Sequence, residues 1–359
     1  MTRRRIPDDV LTAAHDRAKA REARDWPEAD RLRGEIEAAG WKIVDRGTDF
    51  ALSPATPPDI AGGERVQYGS SQSVPSRFDE PSTGVATVVL LASDYPEDLE
   101  RVLTGLRAGS PVGTSVVIVA DAPSPDQADL LQALEAREPR EPREPRKPQE
   151  TLGAHGAHDA LASLDVTEAT AGSDGSSALP IEVIWTSERL GRAAATNIGL
   201  RRSTAPVVIL FDTDLELTGD IVTPLVHALE EPSVAVAGGW GTTSTDLRHF
   251  EDAPAGDVDA IEGYPQAFRR SDAAQRGPLD ERFRFERNLD VWWSLVLRDG
   301  GEEQVHRKAI RLAGLPVVRH EHRDSAGLPD ADRERQSKRS FYWIIDRFGW
   351  RRDLLIGGA

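Results

Sequence analysis

Two carboxylates one residue apart close the apolar run Val207-Val208-Ile209-Leu210-Phe211, where the chain continues Asp212-Thr213-Asp214. Carboxylates are costly to bury unpaired, so this pair must meet a cation, a hydrogen-bond donor or water. Spaced i and i+2 around a bend, the two groups can be aimed at one site. Hard cations such as Mg2+ or Mn2+ take that oxygen ligation while keeping positions free for phosphate oxygens. A turn or a helix cap uses the same residue types, so the pair alone leaves both readings open. A third aspartate, Asp121, ends the run "SVVIVA". Its capping alternative is the helix that follows it.

These side chains need a scaffold that brings strand ends together. Between residues 86 and 136 a strand, "ATVVLLAS", a helix, "PEDLERVLTGLRAG", a second strand, "SVVIVAD", and another helix alternate. That order signals a parallel sheet. The pattern resumes with "IEVIWTS", a helix around "GRAAATNIGLRRS", the strand "APVVILFD", the strand "VAVAGGWG", a helix over "RNLDVWWSLVLRDGG" and a closing amphipathic helix, "SKRSFYWIIDRFGW". In open α/β sheets ligands bind at the carboxyl ends of the strands. Asp121, Asp212 and Asp214 all sit at such ends.

Between these halves, residues 137–179 begin "REPREPREPRKPQ" and continue without hydrophobic pattern. Such a stretch buries too little apolar area to offset its ordering entropy, so it reads as a disordered surface insertion. Deleting residues 138–178 and closing the gap with a short flexible linker is expected to leave the melting temperature nearly unchanged, because loop-length costs grow slowly. Cooperative loss of structure in the deletion variant would contradict this reading. Upstream, residues 1–55 read as a small helical hairpin module with a short strand pair, and residues 56–84, rich in Pro, Gly and Ser, read as a linker. The domain carrying the strands runs over 85–356.

The chain has 359 residues and a net charge of −16, which disfavours a broad nucleic-acid surface. It has no cysteine, which excludes disulfides, thiolate catalysis and Cys-ligated zinc and suits a cytoplasmic protein. No apolar run approaches the roughly 20 residues of a membrane-spanning helix. "MTRRRIPDDV" is not followed by an apolar stretch, so no secretory signal is expected.

Taken together, these segments closely resemble the inverting GT-A glycosyltransferases of family 2. The resemblance rests on a leading strand, an aspartate ending the second strand, and a Leu-Gly-X-X-X-Ala-X-Asn-X-Gly element before an Asp-X-Asp strand. Leu190, Gly191, Ala194 or Ala195, Asn197, Gly199, Asp212 and Asp214 fit that order, over about Thr87 to Arg323. The resemblance implies a GT-A fold with a mainly parallel central sheet, a nucleoside diphosphate sugar as donor and a metal, Mn2+ or Mg2+. It implies that Asp121 meets the nucleotide base, that Arg189 and Arg192 meet the diphosphate and that Asn197 fixes the nucleotide-side loop. Asp214 would bind the metal directly, with Asp212 on ribose or a metal-bound water. Some relatives add a histidine ligand, here His320 or His322 in "VVRHEHRDS". Arg269 and Arg270 in "GYPQAFRRSD" would face an anionic acceptor or phosphate. Inverting transfer also needs a general base. The family's usual acidic pair is replaced here by Arg287-Asn288, with Glu286 and Asp290 on either side. Asp290 is preferred, because it opens a helix and a helix N-terminus favours a carboxylate.

The front module, "ARDWPEADRLRGEIEAAGWKIVDRGTDFALSP", resembles the C-terminal tail of cysteinyl-tRNA synthetases through Ala29, Asp30, Arg31, Arg33, Gly40, Ile43 and Asp45. That resemblance implies contact with tRNA, while the module's balanced charge and single short hairpin equally suit docking to a protein or dimerisation. The acceptor is not legible. The rival to a glycosyltransferase is a non-catalytic nucleotide- or RNA-binding protein that keeps the fold, favoured by the altered acidic motif. A nucleotidyltransferase would want a glycine-rich basic loop after the first strand, and "ASDYPED" is not one.

Overall fold

The computed structural model describes residues 6–46, 49–63, 65–137, 179–285, 287–300, 306–320, 323 and 329–356. The expected insertion, at residues 138–178, therefore lies outside the described residues, as do Glu286 and His322.

The chain begins with α1 (Asp8–Glu22) and α2 (Trp26–Ala38), followed by the antiparallel pair β1 (Trp41–Arg46) and β2 (Asp49–Pro54). Asp25 caps α2 by accepting the Glu28 N–H at 3.3 Å, and Pro27 sits in the first turn, where no N–H is needed. Val10, Ala14, Ile36, Trp41 and Ile43 form a core of their own. Buried Arg17 bonds Asp45 at 2.7 Å, and Arg21 pairs with the same carboxylate. Arg31 and Arg33 are likewise paired with Glu28, Glu35 and Glu37 on their own helix. These pairs balance four of the cations that an RNA backbone would need.

Residues expected as a linker contribute two short strands, β3 (Ile60–Gly62) and β4 (Arg65–Tyr68). Tyr68 and the fully buried Val74 pack against Val117, Val119, Ile184, Ala195 and Ile198. The strand-bearing unit thus starts ahead of residue 85. Pro and Gly density marks turns in this stretch, but its few large side chains are what anchor it.

The main unit follows in chain order: β5 (Ala86–Ala92), α3 (Pro96–Gly109), β6 (Thr114–Ala120), α4 (Pro125–Arg137), β7 (Ile181–Thr186), α5 (Arg192–Arg202) and β8 (Val207–Phe211). Next come β9 (Leu215–Leu217), α6 (Val222–Ala228), β10 (Val234–Gly238), β11 (Gly241–Ser244), β12 (Phe250–Asp252), β13 (Gly256–Val258), β14 (Ala260–Ile261) and β15 (Gln266–Arg269). The last elements are α7 (Arg270–Arg276), α8 (Leu289–Arg298), β16 (Lys308–Arg311), β17 (Val317–Arg319) and α9 (Asp330–Phe348).

One sheet holds ten strands in the order β13-β16-β10-β15-β8-β5-β6-β7-β4-β3. Its centre, β8 to β4, is parallel, while β15 runs antiparallel to both β8 and β10 and each edge strand is antiparallel to its neighbour. The sheet is therefore mixed: among the described residues, five of its nine strand pairings are parallel, β10–β16 among them. Every antiparallel pairing in it involves β3, β13 or β15, whose three or four residues carry too little periodicity to show direction. The central strands are almost wholly buried on both faces, which is why they read as unbroken Val, Leu and Ile runs.

α3 starts with Pro96 at its first turn and buries Leu99, Val102, Leu103 and Leu106, a helix-period stripe. α9 begins seven residues before the expected segment. Its first turns carry Asp330 and Asp332 near the helix N-terminus, and i,i+3 pairs Arg333–Asp330 and Arg335–Asp332 support them. α8 is buried along its whole length; Trp293 meets the Phe268 ring edge-on at 5.6 Å and Trp292 packs on Phe283.

α5 lies close on the sheet because its sheet-facing residues are small. An added Cβ at Gly199 would overlap Val89 on β5. Gly199→Ala is expected to destabilise the fold by about 1–3 kcal/mol, the usual cost of overpacking, read as a lower urea midpoint with an unchanged slope. An unchanged midpoint would show that α5 can move away from β5.

Candidate active site

Register places the expected carboxylates together. Asp121 follows β6 and Asp212 follows β8, and both strands pair with β5, which lies between them. The helix α5 starts beside Asp121. Asp121 accepts the N–H groups of Leu190 at 2.8 Å and Gly191 at 3.1 Å, and the Thr186 hydroxyl at 3.2 Å. Burial pushes this carboxyl above the ordinary range, while those hydrogen bonds and the Arg189 charge pull it back. Asp121 thus shapes the loop into α5 instead of capping α4. Gly191, at φ +96°, takes the conformation that turns the loop into the helix, and a Cβ there would crowd Arg284.

Arg189 reaches across to Asp94, just after β5, at 3.1 Å on the exposed side. Arg192 is buried. Its guanidinium bonds Asp212 at 2.9 Å and stacks over the Tyr264 ring, 4.8 Å from the ring centre. The first carboxylate of the Asp-Thr-Asp turn therefore already has a cationic partner from the chain.

Asp214 lies on the other side of that turn. Its backbone carbonyl accepts the His320 N–H at 2.8 Å, because β17 pairs antiparallel with β9 so that Arg319 faces Leu215. The His320 ring bonds Glu216 at 2.7 Å. The turn is braced from α3, where Arg101 pairs with Asp98 at 2.8 Å and donates to the Thr213 carbonyl at 3.1 Å. Asp98 in turn receives Arg323. Among the described residues no three His, Cys, Asp or Glu side chains converge in metal-holding geometry. The donor set is nevertheless suited to a hard cation that draws its other ligands from phosphate and water, since such ions need only one or two protein carboxylates.

The proposed base and its surroundings come from the opposite half of the sheet. Asp290, on the first turn of α8, accepts the Val291 N–H at 2.9 Å and the Gly263 N–H in a short bond. Burial drives its carboxyl above the usual range; the backbone N–H groups and the Arg192 charge oppose that rise. The Tyr264 hydroxyl is also pushed up by burial, and it feels Arg192, Asp290 and Asp212. Arg192 and Tyr264 therefore lie between the Asp212 turn and Asp290. Exposed Glu262 is raised by desolvation and by the neighbouring Asp290 charge, with Arg319 and Arg287 acting in the other direction. Arg319 stacks over Trp240 at 4.2 Å.

Other expected site residues have structural partners. Asn197 donates to the Leu279 carbonyl at 2.9 Å and to Glu281 at 3.1 Å, and accepts the Leu279 N–H at 2.8 Å, fixing the loop that leads toward α8. Arg269 donates to the carbonyls of Val234 at 2.7 Å and Glu231 at 2.8 Å and also reaches that of Leu229. Arg270 binds the carbonyls of Glu80 and Arg77 and lies over Phe78. An acceptor reaching either arginine would have to displace these bonds. This departs from the expected acceptor contact: both side chains fasten loops to the sheet. Glu262, Tyr264, Arg101 and Trp240 escaped the sequence reading. Only the first two had a local sign: Tyr264 lies within the stretch "GYPQAFRRSD" already singled out, and Glu262 directly precedes it.

Residues 162–286, about a third of the chain, match the model of Glycosyl transferase family 2. The match takes in Arg189, Arg192, Asn197, Asp212, Asp214, Arg269 and Arg270 and stops short of Asp290. A cysteine–tRNA ligase of Opitutus terrae is 44% identical over 50 residues, 14% of this chain and 11% of the ligase. Two solved structures are similar. Mannosyltransferase PcManGT from Pyrobaculum calidifontis, in complex with GDP-Man and Mn2+, aligns over 77% of this chain and 67% of its own, at 16% identity and a TM-score of 0.47. GalNAc-T7 with UDP, GalNAc and Mn2+ aligns over 75% of this chain and 48% of its own, at 12% identity and a TM-score of 0.49. The chain thus spans about a tenth of the ligase and about half of GalNAc-T7. No helix among the described residues is long and apolar enough to cross a membrane.

Proposed function

We propose that this protein is a glycosyltransferase that moves a sugar from a nucleoside diphosphate sugar to an acceptor hydroxyl, with inversion at the anomeric carbon. The observation that carries this reading is one cluster: the Asp212 turn, Arg192, Tyr264 and Asp290 meet at the carboxyl ends of the central strands. The family match over the donor-side half of that cluster supports it.

In this reading the loop Arg189–Arg192, held by Asp121, receives the nucleotide. Asp214, with His320 in register beside it, would hold Mn2+ or Mg2+, which when bound neutralises charge on the diphosphate. Arg189 and Arg192 carry positive charge toward the same leaving group, where negative charge develops as the anomeric C–O bond breaks. Asp290 takes the acceptor hydroxyl proton as the new C–O bond forms. Burial suits Asp290 to this task, because a raised carboxylate is a stronger base than an exposed one.

A thermal-shift panel of nucleoside diphosphates and nucleotide sugars, with and without Mn2+, tests the donor assignment. Binding to the native state raises apparent stability by mass action. The expected result is a rise for at least one nucleoside diphosphate, larger with Mn2+. No shift for any member, at concentrations well above ordinary donor affinities, would remove the reading.

A further inference from the structure

The face of α9 that meets the lead-in to α8 encloses a cleft of about 630 Å3, lined by Arg287, Asn288, Asp330, Arg333, Glu334, Ser337, Lys338 and Phe341. It is a built feature. Asn288 donates at 3.0 Å both to the Ser337 carbonyl and to the Ser340 hydroxyl, and Ser340 donates to the Arg287 carbonyl at 3.1 Å. These bonds staple the two elements into one wall. The volume is that of a small-ligand site.

Three of the lining residues are cations and two are acids. Asp330 is already engaged by Arg333. Among the described residues, neither Arg287 nor Lys338 is in an ion pair, and Glu334 is the acid that remains. The cleft is thus locally positive on a chain whose net charge is −16, and such a site attracts anions selectively. Its position matters as much as its charge. Arg287 and Asn288, which line the cleft, stand three and two residues before Asp290, the carboxylate assigned to take the acceptor proton.

We propose that this cleft binds the acceptor, and that the acceptor is a small polyol carrying a phosphate monoester, its phosphate against Arg287 and Lys338 and a hydroxyl toward Asp290. The assignment rests on the glycosyl-transfer reading for the role of the ligand, but not for its binding. A phosphate monoester at neutral pH carries about −1.5 to −2 charges, which matches the two cations Arg287 and Lys338. Phe341 supplies an apolar side to the same space.

The test is calorimetric titration of the full chain with glycerol 3-phosphate, inorganic phosphate and glycerol. Arg287→Ala/Lys338→Ala is compared with wild type, and Arg335→Ala, on the same helix but paired with Asp332, controls for a change of charge alone. Glycerol 3-phosphate is expected to bind wild type more tightly than inorganic phosphate, and glycerol to bind least. The double variant should weaken glycerol 3-phosphate about tenfold or more, the scale of lost charge-assisted hydrogen bonds, and Arg335→Ala should leave it unchanged. Equal affinity in wild type and double variant, equal affinity for glycerol, or no binding of glycerol 3-phosphate at millimolar concentration would each overturn the proposal. Mn2+-dependent stabilisation by nucleoside diphosphates, measured on the same samples, reports folding of the variants. Its loss in wild type would remove the donor reading while leaving the cleft's result standing.

Discussion

Asp290→Asn is expected to keep donor affinity and to lower the transfer rate about 100-fold or more, the scale of a general-base contribution. The amide keeps the shape of the carboxylate and one oxygen to accept the Gly263 N–H, so the turn ahead of β15 should persist. It cannot take a proton. The pH profile gives a second reading. Burial raises the Asp290 carboxyl, so in wild type kcat/KM should fall with decreasing pH at a point above the ordinary aspartate value of about 3.9. That acid limb should vanish with the residual activity of the Asn variant.

Stability should move the other way. A carboxyl raised in the folded state binds its proton more tightly there than in the unfolded chain. Its contribution is therefore present at low pH and lost as pH rises through the raised value. At pH 7 the neutral amide avoids that penalty, which offsets the loss of the oxygen that accepts the Val291 N–H, so Asp290→Asn should melt close to wild type. Glu262→Gln, on the exposed side of the same cluster, should lose much less activity. The reverse order of the two variants would transfer the base assignment to Glu262. Full activity in both, with a genuine acceptor, would end it.

The second large effect separates the two aspartates of the Asp-Thr-Asp turn. In wild type a nucleoside diphosphate with Mn2+ at about 100 times its Kd should stabilise the fold by about 2.7 kcal/mol. Asp214→Ala should remove the metal-dependent part of this gain while the ligand-free melting temperature stays close to wild type. Asp212→Ala should behave differently. It removes the buried partner of Arg192, and breaking such a pair from one side costs on the order of 3 kcal/mol, because a buried charge loses its counter-charge. The ligand-free protein itself should therefore melt lower. Unchanged Mn2+-dependent binding in folded Asp214→Ala would sink the metal assignment. Equal ligand-free stability of the two variants would show that Arg192 finds another partner at no cost.

Much of the scaffold was legible because its signals are local. "PEDLERVLTGLRAG" carries its own start and its own buried stripe, and it forms α3 at those residues. The runs ending at Asp121 and Asp212 are buried on both faces, so their composition alone marked them as central strands. The short strands were not legible: β9 and β17 have three residues each, and it is their mutual pairing that makes them strands. The same holds for β3 and β4, read as a linker until β7 and the side chains of Tyr68 and Val74 are considered.

The site divides along the same line. The sequence by itself determined which side chains could do chemistry and that several of them end strands, because residue type and strand period are properties of a few neighbouring residues. Tertiary structure alone decided their partners. Arg192, expected on a diphosphate, is bonded to Asp212 twenty residues away. Asp290 is raised because the burial of α8 desolvates it, against the pull of the Gly263 N–H. Arg269 at the end of β15 and Arg270 at the start of α7, adjacent in a promising motif, are bound to the carbonyls of Val234 and Glu80, far from them in the chain. A charged side chain takes its role from whatever desolvates it and whatever lies within hydrogen-bond distance, and both are set by segments far apart in the chain.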